Sequence, residues 1–176
     1  MKKQGLPAQN DQQAFERLFT EWFGRLYTYA FSVLGNESRA EETVQSVFCR
    51  LWERKEQLQI HTSWKAYLYG SVYHECMDGF RREKNRRRYR AFLLHTSTET
   101  AAETATGRTE LSELEKRLRQ ALDELPDQCR AIFQLSRFGE LKYREIAELL
   151  GISTKTVEAQ MTKALRHLRK RLIDFL

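Results

Sequence analysis

The sequence predicts an all-α fold of two small helical domains, and three observations carry that prediction. Apolar side chains recur at three- and four-residue spacing along most of the chain. Alternating, strand-like runs are scarce, and only two prolines occur, Pro7 and Pro126. The stretch His95 to Arg108, HTSTETAAETATGR, has no apolar period and no large hydrophobe, so it cannot bury enough surface to fold alone. It reads as a flexible linker (95–108) between a domain at 11–94 and another at 109–176, with residues 1–10 as a polar leader. A chain of 176 residues is long enough for two such units, each with a modest core.

The first helix is capped by Asn10 or Asp11 and carries Phe15, Leu18, Phe19, Trp22, Leu26, Tyr29, Ala30 and Val33 on one side, ending at Gly35-Asn36. Rings at regular helical spacing are core residues before they are stacking platforms. Ser38-Arg39-Ala40-Glu41 reads as a capping box that opens a second helix. That helix buries Val44, Val47, Phe48 and Leu51, with Trp52 as a further candidate, and shows Glu41, Glu42, Gln45, Arg50 and Glu53 on its other face. A third start at His61-Thr62-Ser63 leads into a helix with Trp64, Tyr67, Leu68, Val72 and Phe80. Residues 81 to 90 of its continuation hold seven basic side chains against one acidic. A helix end favoured by the macrodipole needs only a few cations. Cations beside Trp64, Tyr67, Tyr69, Tyr73 and Tyr89 instead suit single-stranded nucleic acid, in which phosphates meet charge and bases meet rings.

After the linker, Leu111, Leu114, Leu118, Ala121, Leu122 and Leu125 form one apolar stripe. Pro126 stands at a favoured first-turn position for the next helix, DQCRAIFQLSRF, which Gly139 closes. The stretch LKYREIAELLGISTKTVEAQMTKALRHLRKR (141–171) is then a helix-turn-helix. Its first helix, Lys142 to Leu150, carries Tyr143, Ile146, Ala147, Leu149 and Leu150 and stops at Gly151, from which Ile152 drops into the core. Ser153 caps the second helix, whose buried stripe is Val157, Met161, Leu165 and Leu168. The opposite face, Thr154, Lys155, Thr156, Glu158, Ala159, Gln160, Thr162, Lys163 and Arg166, has the size and polarity to meet base edges and phosphates, and His167, Arg169, Lys170 and Arg171 follow. An ordinary amphipathic helical pair shares the periodicity, but the short turn and the one-sided charge favour a DNA major groove.

The net charge of +6 suits a polyanionic partner. Three widely spaced cysteines, Cys49, Cys76 and Cys129, match neither a zinc site nor a disulfide framework and point to a reducing cytoplasm, with Cys49 and Cys76 read as small buried hydrophobes. The leader has no apolar run behind its lysines, and nowhere do about 18 apolar residues follow one another, so neither a signal peptide nor a membrane span is expected. Gly-rich phosphate loops, Ser-His-Asp order and metal spacing are missing, and His61, His74, His95 and His167 lie in separate segments. His74 and Glu75, as neighbours on a helix, point apart. No enzyme chemistry, cofactor or metal is expected.

Three blocks in this order, RAEETVQSVFCRLWER (39–54), SWKAYLYGSVYHECMDGFRREKNRRR (63–88) and the stretch from Leu122 to Leu172, resemble an extracytoplasmic-function sigma factor of the sigma-70 family. That family directs bacterial RNA polymerase to promoters. The resemblance implies region 2 and region 4 domains, core polymerase (the β′ coiled coil and the β flap) and promoter DNA as partners, and an anti-sigma factor. It gives Glu41, Glu42, Gln45, Phe48, Leu51 and Trp52 a polymerase-binding role. It implies strand capture at the proximal (−10) element by Trp64, Tyr67, Tyr73, His74, Asp78, Arg81 and Arg82. Reading of the distal (−35) element as duplex would fall to Ser153, Lys155, Thr156, Glu158, Ala159, Thr162, Lys163 and Arg166. The chain departs from the family at His74, where asparagine is usual, and at Arg39, where an acidic residue is common. The rival reading is a free-standing helix-turn-helix regulator with an N-terminal sensor or dimerisation domain.

Overall fold

The computed structural model describes residues 11–57, 60, 63–93 and 113–173. The leader at 1–10 and the linker at 95–108 lie outside the described residues, as do His61, His95, Leu111 and the candidate cap Asn10. Seven helices are described: α1 (Asp11–Leu34), α2 (Glu37–Glu53), α3 (Trp64–Leu93), α4 (Glu113–Asp123), α5 (Asp127–Arg137), α6 (Tyr143–Leu150) and α7 (Thr154–Arg171).

Trp22, Leu26, Tyr29, Ala30 and Val33 form the inner stripe of α1, which packs against both α2 and α3. The turn to α2 differs from the sequence expectation. Gly35 takes a left-handed conformation (φ 65°), which leaves Asn36 extended (φ −137°, ψ 124°) with its side chain beside the new helix end. Asn36 Oδ1 accepts the Arg39 N–H at 2.9 Å, so Asn36 is the cap and Ser38 lies inside the first turn. The cap falls at the first residue after the reversal able to reach the free N–H groups, two positions before the expected box. Ser63 does cap α3, its Oγ accepting the Ala66 N–H at 3.1 Å. At 30 residues α3 is about 45 Å long. Leu68, Val72 and Cys76 are sealed in its first half, whereas Arg81, Arg82 and residues 84–90 are exposed.

Pro126 sits just before α5 as its cap residue, one position ahead of the predicted first-turn site. Every residue from Cys129 to Leu135 is buried. A helix buried on all sides has neighbours on all sides. α5 packs on α6 and α7 and also on α1 and α3. The helices before and after residues 95–108 thus share one hydrophobic core. Tyr29 Oη donates to Ala131 O at 3.4 Å, Gln134 Nε2 to Ser32 O at 3.4 Å, and Tyr69 Oη to Phe138 O at 3.0 Å. Phe80 receives the Arg39 and Arg130 guanidinium groups at 5.9 and 5.7 Å from its ring centroid.

Several expected core positions are surface, Phe19 of α1 among them at 37% exposed. In α7 the stripe is Val157, Met161, Ala164 and Leu168, and Leu165 is 50% exposed, because the three-or-four spacing permits either 164 or 165 and the helix presents the smaller alanine inward. In α4 only Ala121 is buried, with Leu125 just beyond, while Leu114 and Leu118 face outward. Among the three cysteines Cys76 and Cys129 are buried, but Cys49 is exposed. Burial pushes the Cys76 thiol up to about 12, so it stays neutral.

Candidate nucleic-acid interface

The turn between α6 and α7 follows from four residues. Gly151 is left-handed (φ 63°, ψ 33°), and the Ile152 N–H donates to Ala147 O at 3.1 Å, closing α6 with a six-to-one bond. Ile152 packs against the core as expected. Ser153 Oγ accepts the Thr156 N–H at 3.1 Å and lies 2.8 Å from Thr156 Oγ1. Ser153 and Thr156 therefore spend hydroxyl capacity on the turn. Lys155, Glu158, Ala159, Thr162, Lys163 and Arg166 share the outer face of α7 with Thr154, and all are exposed. The helix is 18 residues, about 27 Å, long enough to lie in a major groove. Its far end is pinned by Glu124, whose Oε2 is 2.6 Å from Arg171 Nε and 3.0 Å from His167 Nε2.

The strand-capture candidates on α3 divide by face. His74 is exposed, its ring edge-on to Tyr73 at 5.3 Å. Asp78 is half-exposed and paired with exposed Arg81 at 3.3 Å. Arg82 is exposed and donates to Glu75 Oε1 at 2.9 Å. Trp64 and Tyr67 are half-buried, edge to face at 6.3 Å. Tyr73 differs: only 6% is exposed, because it lies on the stripe of α3 that faces α5. Burial raises its phenol, and a hydrogen bond with Gln128 of α5 opposes that rise.

Sequence reading missed Glu75. Its carboxylate is 10% exposed and takes Arg82 from α3 on one oxygen and Arg50 from α2 on the other. Burial pushes its carboxyl up, and the hydrogen bonds from Arg82 and Arg50 outweigh that, holding it below the ordinary carboxylate range. The seven-residue spacing of Glu75 and Arg82, two turns on one helix face, was the available signal.

Of the polymerase-binding candidates, Glu41, Glu42 and Gln45 are exposed on α2, with Gln45 Nε2 donating to Glu41 Oε1 at 3.0 Å. Trp52 is 37% exposed, against Phe15 at 4.9 Å and beneath Lys55 Nζ at 3.9 Å. Phe48 and Leu51 are each 2% exposed. They belong to the inner stripe and so support the outer face from beneath instead of forming it.

The sequence matches the family model for Sigma-70 region 2 over residues 18–86 and that for Sigma-70, region 4 over residues 115–168. It is 28% identical over 167 residues to the ECF RNA polymerase sigma factor SigK of Mycobacterium tuberculosis, covering 92% of this chain and 87% of that protein. It is 26% identical over 171 residues to the ECF RNA polymerase sigma factor SigW of Bacillus subtilis, covering 93% and 91%. The chain belongs to the ECF sigma factors of the sigma-70 family. As a sigma factor it binds RNA polymerase and promoter DNA and directs promoter-specific transcription initiation. Its fold resembles that of two solved structures. One is the sigma factor RpoE in complex with the anti-sigma factor NepR from Bartonella quintana (TM-score 0.69, 18% identity, 91% of this chain and 97% of that one). The other is CnrH in complex with the cytosolic domain of CnrY (TM-score 0.66, 21% identity, 94% and 90%). Among the described residues of this sigma factor, no helix is long and apolar enough to cross a membrane.

Proposed function

We propose that this sigma factor divides its work among three faces. The outer face of α7 reads the distal −35 element as duplex, and the observation that carries this is the exposure of Lys155, Glu158, Ala159, Thr162, Lys163 and Arg166 above a sealed inner stripe. Polar contacts there supply specificity, each good bidentate pair being worth about 1 to 3 kcal/mol. His74, Asp78, Arg81 and Arg82 on α3 capture the melted −10 strand, with the basic run to Arg90 holding phosphates. Glu41, Glu42, Gln45 and Trp52 on α2 dock on the β′ coiled coil of polymerase, while the region 4 unit meets the β flap. The protein acts by binding, not catalysis, in the cytoplasm. An anti-sigma factor controls it, a reading supported by the anti-sigma factor NepR bound to the similar sigma factor RpoE.

Run-off transcription with purified bacterial core polymerase on a pool of genomic promoter fragments tests the assignment. New discrete transcripts that appear only with wild-type protein, and that fade on substitution at each of the three faces, are the expected result. If core polymerase gains nothing while the protein alone shifts duplex DNA, the free-standing regulator is the correct reading.

A further inference from the structure

We infer that Glu75 is a positioning residue for promoter-strand capture: it draws the Arg82 guanidinium back along α3 to the level of His74 and holds it there for a strand phosphate. This role rests on the proposed strand capture by α3 and separates Arg82 from its neighbour Arg81.

The two adjacent arginines carry the same charge but are held differently. Arg81 pairs with half-exposed Asp78 at 3.3 Å, a solvent-facing couple of the kind that restrains little. Arg82 Nη2 donates to Glu75 Oε1 at 2.9 Å across seven residues, about 10 Å of helix axis. Side chains on a helix lean toward its N-terminus, so this bond lays Arg82 back along the surface of α3. The carboxylate that receives it is itself fixed from α2. Arg50 takes its other oxygen, and the Glu75 side chain is 10% exposed, so both oxygens are engaged in a site largely shut from water. Glu42 of α2 and Asp78 add attraction on the same guanidinium. Two guanidinium groups share one buried carboxylate, which leaves one positive charge unbalanced within the triad. Glu75 engages Arg82 through Nη2 alone, and a fork of five donors has others to give a phosphate. A long exposed side chain that must be ordered when its ligand arrives costs affinity, and holding it beforehand removes that cost.

Four holoenzymes of bacterial core polymerase, carrying wild type, Glu75→Gln, Arg82→Ala and the double variant, separate positioning from charge. The probe is a fluorescein-labelled single-stranded oligonucleotide with the non-template −10 sequence of a promoter recovered in the run-off assay. Removing a carboxylate beside a DNA strand should by charge alone tighten binding. Releasing a positioned cation should weaken it, so Glu75→Gln is expected to lower affinity about two- to tenfold. Arg82→Ala should then cost less in the Glu75→Gln background than in wild type, by that same factor. A merely structural Glu75 would leave the cost of Arg82→Ala equal in both backgrounds. That equality overturns the positioning role, as does a Glu75→Gln affinity equal to or above that of wild type. Where the glutamine variant fails to fold, Glu75→Met, an apolar side chain of similar volume at this buried position, carries the same cycle. Indifference of strand binding to Arg82→Ala in the wild-type background would remove Arg82 from the strand, and the role of Glu75 with it. Run-off transcripts together with an additive cycle would refute positioning alone and keep the division of faces.

Discussion

Glu75 accepts a hydrogen bond from Arg82 at 2.9 Å, two turns further along α3, while its other oxygen meets Arg50 of α2. A single buried carboxylate thus ties two helices and fixes the direction of a cation proposed to hold a DNA strand. Its carboxyl is held below the ordinary value of 4.5, and the sign of the pH dependence follows. A depressed folded pKa contributes stability that is present above the unfolded pKa and is lost as pH falls through the folded one. Glu75→Gln should lower stability at neutral pH by about 1 to 3 kcal/mol, since a charge-assisted pair is lost beside two guanidinium groups. The gap between wild type and variant should narrow as pH drops below about 4.5 in urea titrations. A gap constant from neutral to acid pH would show that the pair carries no linked proton.

The two sides of α2 separate stability from the proposed polymerase contact. Phe48 is 2% exposed and sits edge to face with Phe15 at 6.0 Å and Phe19 at 4.9 Å. Phe48→Ala should cost about 3 to 5 kcal/mol, read by thermal or urea unfolding. Glu42→Ala with Gln45→Ala touches only exposed side chains and should leave stability within about 0.5 kcal/mol. The same double substitution should weaken binding to core polymerase in a pull-down or fluorescence titration. Undiminished core affinity would remove these residues from the contact.

Gly151 tests the turn between α6 and α7. Its φ of 63° is a conformation that costs an ordinary residue about 1 to 2 kcal/mol, and no atom lies within 4 Å of where a Cβ would be. Gly151→Ala should therefore destabilise by about 1 kcal/mol through the backbone alone, lowering the melting temperature by about 2 to 4 °C for a protein of this size. Gly151→Asn should lose less, because asparagine tolerates the left-handed region better. A larger loss with asparagine would mean that space, not backbone conformation, is limiting.

These residues also show how far the sequence could be read. Periodicity and cap chemistry located all seven helices, and the Gly151-Ile152-Ser153 turn was legible because each residue type answers a local backbone demand. The Asn36 cap was not, because the left-handed Gly35 set the start of α2 two residues earlier than the better-looking Ser38 box. Leu165 was misplaced since helical spacing alone does not choose between adjacent phases. What was hidden in principle is the contact between the units. Tyr73 has the composition of an open stacking ring, and only the seating of α5 over α3 removes it from solvent. Cover of that kind depends on residues 55 positions away, such as Gln128, which no local pattern encodes.

Arg166 is exposed on the outer face of α7, about three and a half turns beyond the Ser153 cap, and no ion pair restrains it among the described residues. A guanidinium so placed can reach either a phosphate or a guanine edge, and the two roles have different signatures. A phosphate contact releases about one counterion, so Arg166→Ala would weaken duplex binding uniformly across sequences and lower the slope of log K against log salt by about 1. A guanine contact would instead cost about 1 to 3 kcal/mol at one base pair and relax selectivity there. The position on the helix favours the first. Recognition helices address base edges mainly through their N-terminal residues, here Lys155, Glu158 and Ala159, while later residues run along the backbone. Titrations of wild type and Arg166→Ala against matched duplexes at several salt concentrations should show the reduced slope without a change in sequence preference. An unchanged slope with lost selectivity at one position would place the guanidinium in the groove.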